Sequence, residues 1–442
     1  MKSRNPRILR SKLASAILII LLLTVGIISR AADYFTTNSD CLNHFWAAAE
    51  SPRPVTVISF GDSMADSYRS PTCHLMNKLV TRLGIAGYSL QNYGNTLGVQ
   101  VANGTAYIPP DTNWFVRYQS LPPGGANWWI NLPFPEGNYC DQAGIFYVAQ
   151  PQGGLWHLQI STNGGDWGTV LTVDGYSPSP TGRLASVTLS ANRYRLRAEG
   201  VTGTNLIIGP YTLNTRTNGV HVVFTDWGGI TLEMVSNVPR SIREPIFAAL
   251  QPDLIVWHMK EAADLATSNY LAECEQWWSA AAPNADVLYL GTPWVSEDTN
   301  AAPGSYKTIE QNHMVRNAAI THRRAYVDLM QPTVSYEWLL ANGYMADQTH
   351  LNSAGGLLCA NILWDDLGFF ALKLPRQINL YGSPDPLELS YQTDLRAVYR
   401  LETSADLQTW QPLLTNAPGS GLFTTNVNPN GTVFYRLGLT PP

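Results

Sequence analysis

The run Val55-Thr56-Val57-Ile58-Ser59-Phe60 is short, apolar and rich in β-branched residues, and it leads directly into Gly61-Asp62-Ser63. A segment with so little polar alternation suits a strand covered on both faces, as in a parallel sheet. Met64, Tyr68, Leu75, Leu79 and Leu83 follow at helical spacing, which predicts a strand, a tight turn and then a helix over Met64 to Leu83. The same alternation returns late in the chain. Ile242 to Leu250, Tyr270 to Ala282, Ile309 to His322 and Ser353 to Leu367 read as helices. Between them Asp253 to Trp257, Val287 to Leu290 and Ala325 to Asp328 read as buried strands. Alternating elements of this kind predict an α/β domain: a mostly parallel sheet with helices on both faces.

The stretch between the two α/β parts has another character. Residues 100–235 contain no lysine, frequent Gly and Thr, and Trp114, Trp128, Trp129, Trp156, Trp167 and Trp227. Short alternating runs recur at Leu155 to Ile160, Val170 to Val173, Leu184 to Leu189, Tyr194 to Arg197, Val220 to Phe224 and Ile230 to Val235. Turn residues such as Asn163-Gly164-Gly165-Asp166 separate them. That pattern predicts an inserted β-sandwich, jelly-roll-like, whose tryptophans are either core or sugar-stacking platforms. Beyond Pro375 the alternation stops again, and Tyr399 to Thr403 and Val433 to Leu437 read as strands of a small C-terminal β module. The expected division is an α/β core in two parts, 53–99 and 236–375, with an insertion at 100–235 and a β module at 376–442.

Composition narrows the function. Of 442 residues 14% are charged and 11% aromatic, which is the opposite of a disordered chain. A net charge of -5 offers phosphates no broad attractive field, so no nucleic-acid partner is expected. Lys2, Arg4, Arg7, Arg10 and Lys12 precede an uncharged apolar run from Leu13 to Ile28, and Ser29-Arg30-Ala31 offers small residues at a cleavage site. Residues 1–31 therefore read as a signal peptide of a secreted or periplasmic protein that leaves the membrane after cleavage, with an uncleaved anchor as the alternative. Cys41, Cys73, Cys140, Cys274 and Cys359 form no C-x-x-C pair, and up to two disulfides are compatible with export.

Two short motifs carry chemistry. Ser63, in a turn at the carboxyl end of a buried strand, presents its hydroxyl where open α/β sheets bind ligands. If the helix starts at Met64, the Ser63 N–H also lies at a helix N-terminus, where unpaired donors favour an anion. A serine nucleophile needs a base, and the base is usually oriented by a carboxylate. Among eight histidines only His350 has an aspartate three residues before it, in Asp347-Gln348-Thr349-His350. No nucleotide motif follows a strand, and His and Cys show no metal-ligand spacing, so neither cofactor nor metal is expected.

Gly61-Asp62-Ser63 early and Asp347-x-x-His350 late resemble the first and last blocks of the SGNH (GDSL-type) serine hydrolases, over about residues 53–99 and 236–372. The resemblance implies a flavodoxin-like three-layer α/β/α core with Ser63 as nucleophile, His350 as base and Asp347 as its orienter. It also implies an oxyanion hole built from the Ser63 N–H, a second-block glycine and a third-block asparagine. Gly94, in Asn92-Tyr93-Gly94-Asn95, is the candidate glycine. The third block departs from the pattern: His258-Met259-Lys260-Glu261 stands where the family has G-x-N-D or G-x-N-E, so Lys260 replaces the asparagine. Its ammonium would either donate to the oxyanion or pair with an acid, and Asn95 is the other candidate for the missing donor.

The implied activity is that of a secreted carboxylic ester hydrolase removing O-acetyl groups from a carbohydrate, as in bacterial carbohydrate and peptidoglycan O-acetylesterases. Two alternatives stay open: a polysaccharide O-acetyltransferase using the same dyad, and a glycan-binding protein whose hydrolase core has decayed.

Overall fold

The computed structural model describes residues 36–37, 39–65, 69–90, 99–102, 106–108, 118–129, 138–162, 166–226, 228–260, 265–299, 307–369 and 372, and in the tail 379–381, 387–392, 398–404, 411–415, 422–427 and 434–440. Residues 1–31, Trp114, Trp227, Gly94, Asn95 and Glu261 lie outside the described residues.

Six parallel strands form the centre: β1 (Val55–Gly61), β2 (Ile85–Ser89), β3 (Val220–Phe224), β4 (Leu254–His258), β5 (Asp286–Gly291) and β6 (Ala325–Asp328). Their spatial order is β6-β5-β4-β1-β3-β2, which leaves β1 in the interior of the sheet. The pleat sends successive side chains to opposite faces. Ile58, Phe60, Ile255, Trp257 and Tyr289 meet α2 (Arg240–Leu250), α3 (Leu265–Ala281) and α4 (Lys307–His322) on one face. Val55, Val57, Leu254, Val256, Leu288 and Leu290 meet α1 (Pro71–Leu83) and α5 (Ser353–Asp366) on the other. The result is a mixed α/β fold of three layers.

Two expectations need correction. Val220 to Phe224, read as part of the insertion, is β3, and it lies parallel between β1 and β2. His221 fastens it there, with Nδ1 3.3 Å from Thr56 Oγ1 and Nε2 2.7 Å from Ser89 Oγ. Complete burial lowers this imidazole to about 3, so it stays neutral. An apolar run reports burial, and burial is the same beside a parallel or an antiparallel partner.

The remainder of the insertion is joined to the core sheet. The antiparallel strand Asn205–Leu213 pairs with β2 through Tyr211 and Ser89, and Asn138–Ala149 and Thr181–Gly200 continue outward from it. One face of these strands buries Phe146, Val148, Ile208 and Tyr211 in the same cluster as α2 and α3. The opposite face closes a cluster of its own around Ile145, Tyr147, Trp156, Leu158 and Leu196. The insertion is thus a continuation of the core sheet.

The helix after Ser63 also begins later than its periodicity implies. It starts at Pro71, with Ser70 as N-cap accepting from the Cys73 N–H at 2.9 Å. Proline suits the first helical position and disfavours helix at the residue before it, so α1 cannot extend back to Met64. Ser63 consequently lies in a turn and not at the N-terminus of α1. All five cysteines are free thiols. In the tail, Asn379–Tyr381, Leu387–Gln392 and Leu422–Val427 form one antiparallel sheet, and Val398–Ser404, Gln411–Thr415 and Phe434–Thr440 another. Among the described residues no helix is long and apolar enough to cross a membrane.

Candidate active site

The Ser63 turn grows out of the end of β1. Gly61 is required there, because a Cβ at that position would stand 2.0 Å from the carbonyl oxygen of His258 on β4. Asp62, only 6% exposed, reverses the chain: its Oδ1 accepts the Met64 N–H at 2.8 Å and its carbonyl accepts the Ala65 N–H at 3.0 Å. Ser63 is left half-buried at the carboxyl edge of the sheet. Its N–H has no hydrogen-bond partner among the described residues, which suits a donor reserved for an anion.

The second loop is equally tight. Met345 and Leu351 form an antiparallel bridge, and Asn352 caps α5 by accepting from the Gly355 N–H at 3.0 Å. Between them, Asp347 Oδ1 accepts from the backbone N–H groups of Thr349 (2.8 Å) and His350 (2.7 Å). Asp347 Oδ2 lies 2.9 Å from His350 Nδ1, and His350 Nε2 lies 2.9 Å from Ser63 Oγ. Desolvation raises the Asp347 pKa, but the two backbone donors and the imidazole outweigh it and hold the carboxylate at about 2. Serine, histidine and aspartate therefore form one hydrogen-bonded chain in the order a nucleophile, its base and the base's orienter require.

A shallow cleft opens beside this chain, lined by Ser63, Met64, Arg69, Ser70, Pro71, His350 and Leu351. Met64, Pro71 and Leu351 make part of it apolar. Of the tryptophans in the insertion, Trp156 is core, packed edge-on against Tyr147 at 5.3 Å. Trp167 is partly exposed, with the Arg197 guanidinium 5.7 Å from its ring.

Among solved structures, a peptidoglycan O-acetylesterase is similar over 75% of this chain and 95% of its own, with a TM-score of 0.57 at 16% identity. The chain shares the fold of that esterase. A carbohydrate esterase family 2 enzyme with a carbohydrate-binding domain, from Corynascus thermopiles (Myceliophthora fergusii), covers 62% of this chain and 99% of its own at 12% identity, but its TM-score of 0.27 carries no argument. The same holds for a family two carbohydrate esterase from Cellvibrio japonicus, with a TM-score of 0.25, 10% identity and coverage of 62% and 97%. No protein-family model and no curated relative matches the chain.

Of the expected motifs, the first and the last meet: the Ser63 turn and the Asp347–His350 loop stand at hydrogen-bond distance. Gly94, the candidate second-block glycine, lies outside the described residues. β3 is a neighbour of β1, and the loop that follows Phe224 carries Gly228 and Gly229. In the third block, Lys260 directs its ammonium to Glu297 at 3.0 Å. Among the described residues, an ion pair with Glu297 is the arrangement observed. His258, in the place of the family's glycine, is fully buried beneath the turn, and burial lowers its imidazole to about 3. Sequence reading did not single out Glu297, because nothing local marks a residue that meets Lys260 across two loops.

Proposed function

We propose that this protein is an exported serine esterase that removes O-acetyl groups from a carbohydrate. The observation that carries the reading is the Ser63–His350–Asp347 chain, with each contact at hydrogen-bond distance. His350 Nε2 takes the Ser63 proton as Oγ attacks the acyl carbon. The resulting oxyanion is held by the Ser63 N–H and, in place of Gly94, by the loop after β3 where Gly228 stands. His350 returns the proton to the leaving sugar hydroxyl, and water then hydrolyses the acyl-serine by the same steps in reverse. Asp347, ionised throughout the working range, stabilises the imidazolium that forms in each half-reaction. Lys260, engaged by Glu297, enters only as a positive charge near the nucleophile.

The small, partly apolar cleft supports a short acyl group. The fold shared with a peptidoglycan O-acetylesterase supports a glycan ester as substrate. The strands of the insertion would then dock the glycan, with Trp167 as the ring best placed among those described. Residues 1–31 would serve as the export signal, which N-terminal sequencing of the mature protein tests. The decisive experiment is acetate release from O-acetylated peptidoglycan and from acetylated xylan. Release by the wild type and none by Ser63→Ala is the expected outcome. Equal release by both, or transfer of acetate to an acceptor glycan without hydrolysis, overturns the reading.

A further inference from the structure

We propose that Asp62 and Gln311 form one positioning relay, which sets the Ser63 turn against the turn that follows β4. The inference rests on the esterase reading above. Asp62 Oδ1 accepts from Met64 N–H within its own turn, while Oδ2 accepts from the Lys260 N–H, 3.0 Å away in the turn after β4. The residue before Lys260 is held from the far side: Gln311 on α4, 1% exposed, donates from Nε2 to the Met259 carbonyl at 2.6 Å and reaches Thr292 Oγ1 at 3.4 Å. Hydrogen bonds thus run without a break from α4 through Met259 and Lys260 to Asp62, and from Asp62 into the turn that carries Ser63.

Placement argues for positioning and against a mere staple of the fold. The β1–β4 ladder already locks the two strands up to the pair Gly61 and His258. The Asp62–Lys260 bond is the next link, beyond the end of the sheet, so losing it frees the two turns without unzipping the strands. Residue type agrees. Two N–H donors from different turns converge on one side chain, and a carboxylate accepts both. An asparagine accepts one and turns its own NH₂ toward the other. Neither Asp62 nor Gln311 is assigned contact with substrate. Their effect passes through Ser63, whose attack distance is set by its turn, and a displacement near 1 Å there costs on the order of 100-fold in rate.

The test compares wild type, Asp62→Asn, Gln311→Met and the double variant in the full chain. It reads kcat and KM on p-nitrophenyl acetate, the rate of labelling by a fluorophosphonate, and the melting temperature. Each single variant is expected to lose about 10- to 100-fold in kcat and in labelling rate, with KM within about twofold of wild type. The double variant should be no worse than the poorer single by more than about threefold, because both break the same relay. Unchanged kcat, losses that multiply, or a fall in kcat matched by the fraction unfolded would each overturn the relay. Should Asp62→Asn not fold, Gln311→Met decides alone: a kcat loss at constant KM supports the relay, and unchanged kcat refutes it. A wild type that takes no label overturns the hydrolase reading and the relay together. A labelled wild type with an equally reactive Asp62→Asn overturns only the relay.

Discussion

His350 Nε2 stands 2.9 Å from Ser63 Oγ across 287 positions of sequence. Two packing facts produce the meeting. The first turn of α5 presses on the chain just before α1, so closely that a Cβ on Gly356 would stand 1.7 Å from the Arg69 carbonyl oxygen. Both helices lie on the same face of the sheet, over Val55 and Val57 of β1. The loop that ends in His350 is therefore carried to the turn that starts with Asp62.

Replacing either end of this contact should remove activity and leave the fold. Ser63→Ala should take no fluorophosphonate label, and His350→Ala should lose on the order of 10³-fold or more in kcat. Both should keep the wild-type melting temperature within a few degrees. A labelled Ser63→Ala protein would show that another nucleophile is at work.

Asp347 is held at about 2, so it keeps its charge through any working pH. Because the folded-state pKa is depressed, what this carboxylate adds to stability is present above its ordinary value of ~3.9 and is lost as pH falls toward 2. Asp347→Asn should lower kcat by on the order of 10³- to 10⁴-fold across the pH range. A profile of kcat/KM in which the variant equals the wild type at any pH above 4 would contradict the orienting role.

Asp366, at the end of α5, behaves in the opposite sense. Burial raises its carboxyl to about 6, and its Oδ2 is buried without a hydrogen-bond partner among the described residues. The folded chain holds this proton more tightly than the unfolded one, so stability falls as pH rises from ~3.9 through 6. Asp366→Asn should melt higher than wild type at pH 8 and level with it at pH 4. The same melting difference at both values would assign the effect to something other than ionisation.

Gly61→Ala should be costly in two ways. Its methyl would collide with the His258 carbonyl, and the strained fit should destabilise by about 1–3 kcal/mol in urea unfolding. It should also depress kcat further than the stability loss accounts for, since the collision falls where the nucleophile turn leaves the sheet. A stable, fully active Gly61→Ala would mean that β1 and β4 tolerate separation at that point.

Thiol chemistry should divide the cysteines into two groups. Cys140, Cys274 and Cys359 are buried and their thiols are pushed up to about 12, whereas Cys41 and Cys73 are partly exposed. A chromogenic disulfide reagent should titrate two thiols rapidly in the native protein and five after denaturation. Fewer than five in denaturant would reveal a disulfide.

What the chain order alone determined was local. The apolar run of β1, the helix–strand alternation from Ile242 onward and the Asp-x-x-His spacing each depend on neighbours within a few residues, and periodicity and turn chemistry record such neighbours directly. The candidate site residues were legible for the same reason: the Ser63 turn follows its strand, and the Asp347 carboxylate reaches His350 within one loop. Partners were decided only in three dimensions. Whether Val220 to Phe224 pairs with an inserted strand or with β1 depends on a closure across more than a hundred residues, and both outcomes demand the same buried valines. That choice puts the loop after Phe224, with Gly228, at the same sheet edge as the Ser63 turn. Glu297 claiming Lys260, and Asp62 joining it to Gln311, are likewise contacts between separate elements that meet at the strand ends, where a charge or an amide takes whichever partner the packed sheet brings within 3 Å.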